Sequence, residues 1–286
     1  MEGTGTLYVV ATPIGNLRDI TLRALDVLRE AHTVAAEDTR VTRRLLDHHG
    51  ITTRLISLHE HNERARAETV ARLLGEGRNV ALVTDAGTPA LSDPGALLVA
   101  DMRGRGFRAV PVPGPSAAVA ALSVSGDDAP RFLFCGFLPA KRAARRAALG
   151  QIRDLACSLV FYETPHRIAE CIADLQEVLG GRRRVTFARE LTKIHETVHT
   201  CPLQEAGEWL KRGNQERGEF VLVVTGAEPP RAPGVDSEVE RVLGLLLEEL
   251  PLSRAADLAA RITGVPRKAL YGRALELRAA KPPRRV

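Results

Sequence analysis

Three loops of small residues are the segments of this chain best suited to hold a ligand. Thr12-Pro13-Ile14-Gly15-Asn16-Leu17 lies between an apolar run and a helical pattern, and a glycine there lets backbone approach a ligand closely. Thr84-Asp85-Ala86-Gly87-Thr88-Pro89 follows the apolar run Val80–Val83, and Ser92-Asp93-Pro94-Gly95 opens the next helix. Asp85 at the end of a strand is placed to accept hydrogen bonds or to offset positive charge. An aspartate there also serves as an ordinary turn cap. Pro113-Gly114-Pro115-Ser116-Ala117 is the third loop, and the helix after it offers free backbone N–H groups. None of the three is a GxGxxG fingerprint, and none has the Gly-Lys-Ser/Thr of a Walker A loop. NAD and ATP are disfavoured accordingly.

A second set of residues places carboxylates beside cations. It comprises Glu37 and Asp38 with Arg40, Glu163 and His166 with Arg167, and Glu190 and Lys193 with Arg189. A group within reach of a hydroxyl can take its proton, and the same pairs can equally be salt bridges that shape a cleft. Asp38, Glu163 and Lys193 stand as catalytic candidates, with Arg40 and Arg189 as substrate-cleft candidates and the base unassigned. Lys141, Arg142, Arg145 and Arg146 form a +4 cluster, and helical spacing sets the three arginines on one face. Arg254, Arg261, Arg267, Lys268 and Arg273 add cations near the end of the chain. Such side chains hold phosphates and do not read sequence.

The elements that must position these residues follow from the apolar pattern. Strands are predicted at Leu7–Ala11, Val34–Ala36, Arg54–Leu58, Val80–Thr84 and Arg108–Val110. Helices fall between them at Thr21–Ala31, Arg40–His48, Asn62–Leu74 and Pro94–Arg103. That alternation predicts a mostly parallel sheet covered on both faces, with ligands beyond the strands' carboxyl ends. Pro111-Val112-Pro113-Gly114-Pro115 interrupts the rhythm and suits a domain junction, since prolines continue neither a helix nor a central strand. A second α/β run has strands at Phe132–Cys135, Ser158–Tyr162, Val185–Ala188, His195–Thr200 and Phe220–Val224. Its helices are Arg142–Asp154, Arg167–Leu179 and Leu203–Lys211. Glu228–Gly234 reads as a linker. Beyond it come helices at Ser237–Leu250, from a Ser253 cap to Ile262, and from Pro266 to about Leu277, the last two laid out as a helix-turn-helix. The expected domains are 1–115, 116–227 and 228–286.

With 286 residues, 44% hydrophobic and 26% charged, the chain has the balance of an ordinary globular protein. No apolar run approaches the roughly 20 residues of a membrane span, and the first residues lack a signal-peptide pattern. A cytoplasmic protein with no membrane partner is expected. Cys135, Cys157, Cys171 and Cys201 have no CxxC or zinc-site spacing, so no metal is expected. The net charge of +5 is unevenly distributed: residues 1–115 are neutral, whereas 251–286 hold nine basic residues against Asp257 and Glu276. A basic tail behind a neutral body suits an RNA or DNA handle.

Taken together, LYVVATPIGNLRDIT, AAEDTR, TDAGTP with SDPG, VPGPSA, GFLP, FYETPHR, ARELTK and GEFVLVV occur in one order across residues 7–224. This series resembles the tetrapyrrole-methylase superfamily of S-adenosylmethionine enzymes. Within it, the series is similar to the branch that methylates a cytidine 2′-hydroxyl of 16S ribosomal RNA. The resemblance implies two α/β domains with the cofactor in the cleft between them, a small C-terminal helical domain, and a homodimer. S-adenosylmethionine carries an ammonium and a sulfonium, which the Asp85 carboxylate suits. Carried over by motif, Pro13 flanks the cofactor, and Asp85, Thr88, Ser116 and Ala117 contact it. Tyr162, Leu191 and Phe220 close around it from the second domain. Arg40, Arg189, Arg142, Arg145, Arg146 and Lys268 are the expected contacts to the 16S rRNA of the small ribosomal subunit. Two other readings stand beside this one: a methyltransferase of the same superfamily acting on a tetrapyrrole or other small molecule, and a non-enzymatic RNA-binding protein.

Overall fold

The computed structural model describes residues 3–59, 62–212, 215–228 and 235–280. It divides into two compact units, Met1–Ala227 and Glu228–Val286. The predicted linker falls largely outside the described residues.

The first sheet of the larger unit has strands β1 (Thr6–Val10), β2 (Thr33–Ala36), β3 (Arg54–Ser57), β4 (Val80–Val83) and β5 (Arg108–Val112). Their order is β3-β2-β4-β1-β5, and every pairing is parallel. Helices α1 (Leu22–Glu30), α2 (Thr39–His48), α3 (Glu63–Gly75) and α4 (Ala96–Gly104) connect them. The period-two alternation of a strand divides the core. Val34, Ala36, Ala81 and Val83 pack with Leu28, Leu45 and Leu46 on one face, while Ala35, Val80 and Leu82 pack with Val70, Leu74 and Met102 on the other. A sheet covered on both faces explains why β4 is apolar throughout. The apolar pattern ends β5 at Val110, but the strand continues through Pro111, which pairs with Val9. The reason is position: β5 is an edge strand, where a missing N–H costs little.

The second sheet contains β6 (Phe132–Phe137), β7 (Ser158–Glu163), β8 (Arg184–Arg189), β9 (Thr197–Pro202) and β10 (Phe220–Val224), in the order β6-β7-β10-β8-β9. Only β6 and β7 are parallel; the other pairings are antiparallel. Helix α5 (Ala117–Ser125) covers one face, packing Ala118 and Ala121 on Val160, Val221 and Val223. Its alanines allow this close approach, and Gly126 ends it in the left-handed conformation with φ 69°. Helices α6 (Arg142–Ile152), α7 (Ile168–Leu179) and α8 (Leu203–Lys211) supply the other face, where Leu149, Ile172, Leu175 and Leu210 bury Phe161, Phe187 and Leu222.

In the smaller unit α9 (Ser237–Glu249), α10 (Leu252–Thr263) and α11 (Arg267–Ala280) enclose Leu243, Ala256, Ala259, Leu270 and Ala274. Asp236 caps α9 by accepting from the Val239 N–H at 2.8 Å. Pro251, and not Ser253 as the sequence pattern suggests, is the N-cap of α10. Gly264, with φ 73°, ends α10 and lets α11 begin at Arg267. Among the described residues no helix is long and apolar enough to cross a membrane.

Candidate functional site

Strand termini of the two sheets converge on a cavity of about 300 Å³. The first sheet contributes the loop after β4 (Asp85, Gly87, Thr88, Leu91, Asp93), Glu37 after β2 and Ile14 after β1. Ser116 and Ala117, at the start of α5, line it as well. The second sheet contributes Phe137, Tyr162, Glu163, Leu191, Lys193, Glu219 and Phe220.

Backbone hydrogen bonds weave the loops together. Thr12 and Gly87 exchange N–H to carbonyl bonds of 2.9 and 3.1 Å, and Thr88 Oγ1 donates to the Pro115 carbonyl at 3.1 Å. The three glycine-bearing loops thus form one floor. Gly15 lies so close to the second sheet's loop that a Cβ there would meet Lys193 Cγ at 2.6 Å and the Leu191 carbonyl oxygen at 2.9 Å. The non-glycine residues with positive φ are Ala90, Ser92, Glu190 and Thr192 among those described, all in the two loops that bound the cavity. Strain of this kind persists only where the surrounding structure over-determines it.

The first-sheet wall is anionic. Asp85 Oδ1 accepts from the Asp38 N–H at 2.9 Å. Burial, then the neighbouring Asp85 charge, raises Glu37 above the usual carboxylate range. Burial likewise raises Asp85, against the opposing Asp38 N–H. Asp93 is pushed up to about 6 by burial and by the Glu37 and Asp85 charges. Three carboxylates that cost one another ionisation are a site for a cation.

On the facing wall Glu163 is fully buried; its Oε1 accepts from the Thr164 N–H at 2.9 Å, while its Oε2 has no partner among the described residues. Ser116 Oγ is also buried, and it faces the Tyr162 hydroxyl. Lys193 Nζ lies 3.0 Å from both Glu190 and Glu219. Burial alone would lower it, but the two carboxylates prevail and keep it charged. Glu190 Oε1 also accepts from the Glu219 N–H at 2.8 Å, and Gly218, with φ +93°, leaves the space that Glu190 fills.

Several sequence candidates fall elsewhere. Asp85, Thr88, Ser116, Ala117, Tyr162, Leu191 and Phe220 all line the cavity, but Pro13 is buried behind it and Ile14 takes its place. Among the catalytic candidates Glu163 and Lys193 line the cavity, whereas Asp38 does not. Its carboxylate caps α2 and grips Arg40 at 2.6 Å, and that hydrogen bond holds it down to about 2. His166, three residues beyond Glu163, is exposed and outside the lining. Arg40 is exposed beside Asp38, and Arg189 is tied to the carbonyls of Arg217 and His195 at 2.6 and 3.3 Å.

The basic cluster on α6 requires correction. Arg145 is 1% exposed, its Nε 2.7 Å from Asp174. Arg142 also pairs with Asp174 and Glu177, and Arg146 with Glu177. Glu170, Asp174 and Glu177 share one face of α7 and answer the α6 arginines, so Arg145 cannot meet an external phosphate. In the smaller unit Arg273 is likewise taken by Glu240 and Glu276. Lys268, Arg254 and Arg261 are exposed with no carboxylate partner among the described residues. Sequence reasoning missed Asp93 and Phe137 as site residues, although SDPG and GFLP were both visible as motifs.

Two α/β sheets closing on an anionic, partly apolar cavity define an α/β protein whose cavity has the charge to suit a small cation. Residues 6–207 match the model of the tetrapyrrole (corrin/porphyrin) methylases, and residues 233–278 match that of the RsmI C-terminal HTH domain. The solved methyltransferase CobJ has the same fold, with a TM-score of 0.59 over 80% of this chain and 98% of its own at 19% identity. The uroporphyrin-III-C-methyltransferase from Thermus thermophilus gives 0.54 over 77% and 94% at 22% identity. A protein of Pseudomonas aeruginosa named ribosomal RNA small subunit methyltransferase I is 52% identical, covering 95% of this chain and 97% of its own. One of the same name from Escherichia coli O157:H7 is 50% identical, covering 95% of each. The chain belongs to the ribosomal RNA small subunit methyltransferase I family of tetrapyrrole-type methylases.

Proposed function

We propose that this protein transfers a methyl group from S-adenosylmethionine to a cytidine 2′-hydroxyl of small-subunit ribosomal RNA. The observation that carries the reading is the single cavity into which Asp85, Thr88, Ser116, Ala117, Tyr162, Leu191 and Phe220 converge from separate stretches of chain. The names of relatives about half identical over nearly the full length support the ribosomal substrate. The cavity suits the donor on its own chemistry. Its carboxylates complement ammonium and sulfonium, and Leu191, Phe220 and Ile14 present apolar surface to a flat base.

When bound, S-adenosylmethionine supplies a methyl group already activated on sulfur. The protein's work is then to orient, to exclude water and to remove one proton. Asp85, held by the Asp38 N–H, and Glu37 offset the positive charge. We assign the proton acceptor to Asp93, which lines the cavity, is partly accessible and has a pKa of about 6, close to the operating range of an effective base. Asp38 is bound to Arg40, Lys193 stays protonated, and Glu163 is fully enclosed. Arg40, Lys268, Arg254 and Arg261 are the exposed cations we propose for phosphate contact.

The direct test is methylation of small subunits in vitro, followed by nuclease digestion and mass spectrometry. The expected product is 2′-O-methylcytidine. A methyl group on a base, or none, would overturn the assignment. A chain lacking residues 228–286 should lose most of its activity on subunits; full retention would favour a small-molecule methylase.

A further inference from the structure

Phe137 stands at the cavity apart from the carboxylates and from Lys193. Phe137 lines the cavity but remains 51% exposed, although burying a phenylalanine is normally favourable. Its position is specifically constructed. The β6–β7 register shifts between Phe134 and Gly136, so Cys135 is an extra residue in the strand. A bulge of this kind re-aims the side chains that follow it. Gly136 adopts φ +62°, and a Cβ there would meet Ser92 Oγ at 2.8 Å. The bulge and the glycine thus seat β6 against the loop of the first sheet and leave Phe137 opposite Tyr162 in the ladder. The Tyr162 ring braces it at a centroid distance of 5.6 Å and an interplanar angle of 65°, and Phe134 braces Tyr162 in turn at 5.0 Å. Tyr162 is the one ring in contact with Phe137 among the described residues.

The wall it faces decides what can lie on it. Glu37, Asp85 and Asp93 line the same cavity and repel phosphate, so the part of a nucleotide that enters is its uncharged portion, the sugar and base. A half-exposed, edge-braced ring offers such a base a π-face. We propose that Phe137 is the platform on which one RNA base, taken out of its stack, rests while its ribose is held at the cavity. Such a platform accepts the flat face of any base, so Phe137 supplies affinity and placement, and discrimination between bases falls to other contacts.

This inference rests on the RNA reading above, and the experiment separates the two. The full-length protein, as wild type, Phe137→Leu and Phe137→Trp, is assayed on small ribosomal subunits at saturating S-adenosylmethionine. Calorimetry gives the affinity of each for S-adenosylmethionine alone, and a thermal melt shows that each is folded. Leucine keeps apolar bulk and removes the π-face, so Phe137→Leu should raise KM for subunits on the order of ten-fold and leave the donor affinity unchanged. Phe137→Trp should restore KM to within a few-fold of wild type. An unchanged KM in Phe137→Leu overturns the platform, as does a parallel loss of donor affinity, which would place the donor's adenine on the ring. If the wild type transfers nothing to subunits, the RNA reading fails and takes the inference with it.

Discussion

The two walls of the cavity are built by different means. The wall from the first sheet is a set of loops at the ends of parallel strands, rich in small residues and carboxylates, and its hydrogen bonds run largely through backbone. The wall from the second sheet is made by aromatic and aliphatic side chains around Lys193, with rotamers held by ring contacts and ion pairs. The two constructions amount to a division of labour. The floor tolerates little change at Gly15, where a Cβ would meet Lys193 Cγ at 2.6 Å, while side-chain walls can be re-cut to fit another ligand. The anionic wall suits the positive charge of a donor, and the aromatic wall offers apolar surface to flat groups of donor and acceptor alike.

Three experiments put that division at risk. The largest effect is expected at Asp93. Asp93→Asn should lower kcat by about 10²- to 10⁴-fold while the donor's affinity changes far less. An affinity loss that accounts for the whole effect would return Asp93 to the donor's counter-charge and leave the base unassigned. A smaller effect follows from pH. Because Asp93 has a folded-state pKa raised to about 6, it is ionised at neutral pH and becomes protonated as pH falls through that value. A base must be ionised, so kcat/KM should drop by about ten-fold per unit below roughly pH 6, and that limb should vanish in Asp93→Asn. A flat profile down to pH 5 would contradict the role. The smallest effect tests the supporting shell of the second wall. Gly218→Ala places a Cβ 2.5 Å from Glu190 Cγ at φ +93°, so it should destabilise the protein by about 1–3 kcal/mol. It should also loosen the loop that carries Lys193. A thermal melt within a degree of wild type would show that this loop is free to adjust.

Much of the fold was legible because strand and helix periods are local. The strand Phe220–Val224 and the helix Leu203–Lys211 have the boundaries expected from the pattern. The loops of the first wall were equally legible, since Asp85, Thr88, Ser116 and Ala117 sit in glycine- and proline-rich turns after strands. Phe137 was not, because the apolar pattern ends that strand at Cys135, whereas the folded strand passes through a bulge and runs on to Phe137. The α6 arginines were read as a phosphate-binding face because their partners lie on another helix. Glu170, Asp174 and Glu177 stand at helical spacing in the sequence, but only packing shows that their face meets α6. Asp93 escaped for a similar reason: its pKa is raised first by burial and then by Glu37 and Asp85, of which Glu37 is distant in sequence and close in space.

The order of residues alone was enough to specify the two runs of α/β elements, the separate helical segment, the three small-residue loops and, through their motifs, the family. Those features depend on residues near one another in the chain, where backbone preference and hydrophobic period act. Folding in three dimensions was needed to settle that β5 could carry a proline at the sheet's edge, that the second sheet runs mostly antiparallel, and which charges are neutralised. It also settled which carboxylate shares a cavity with which. Burial and charge coupling are set by distances through space, and a linear chain does not contain those distances until it has folded.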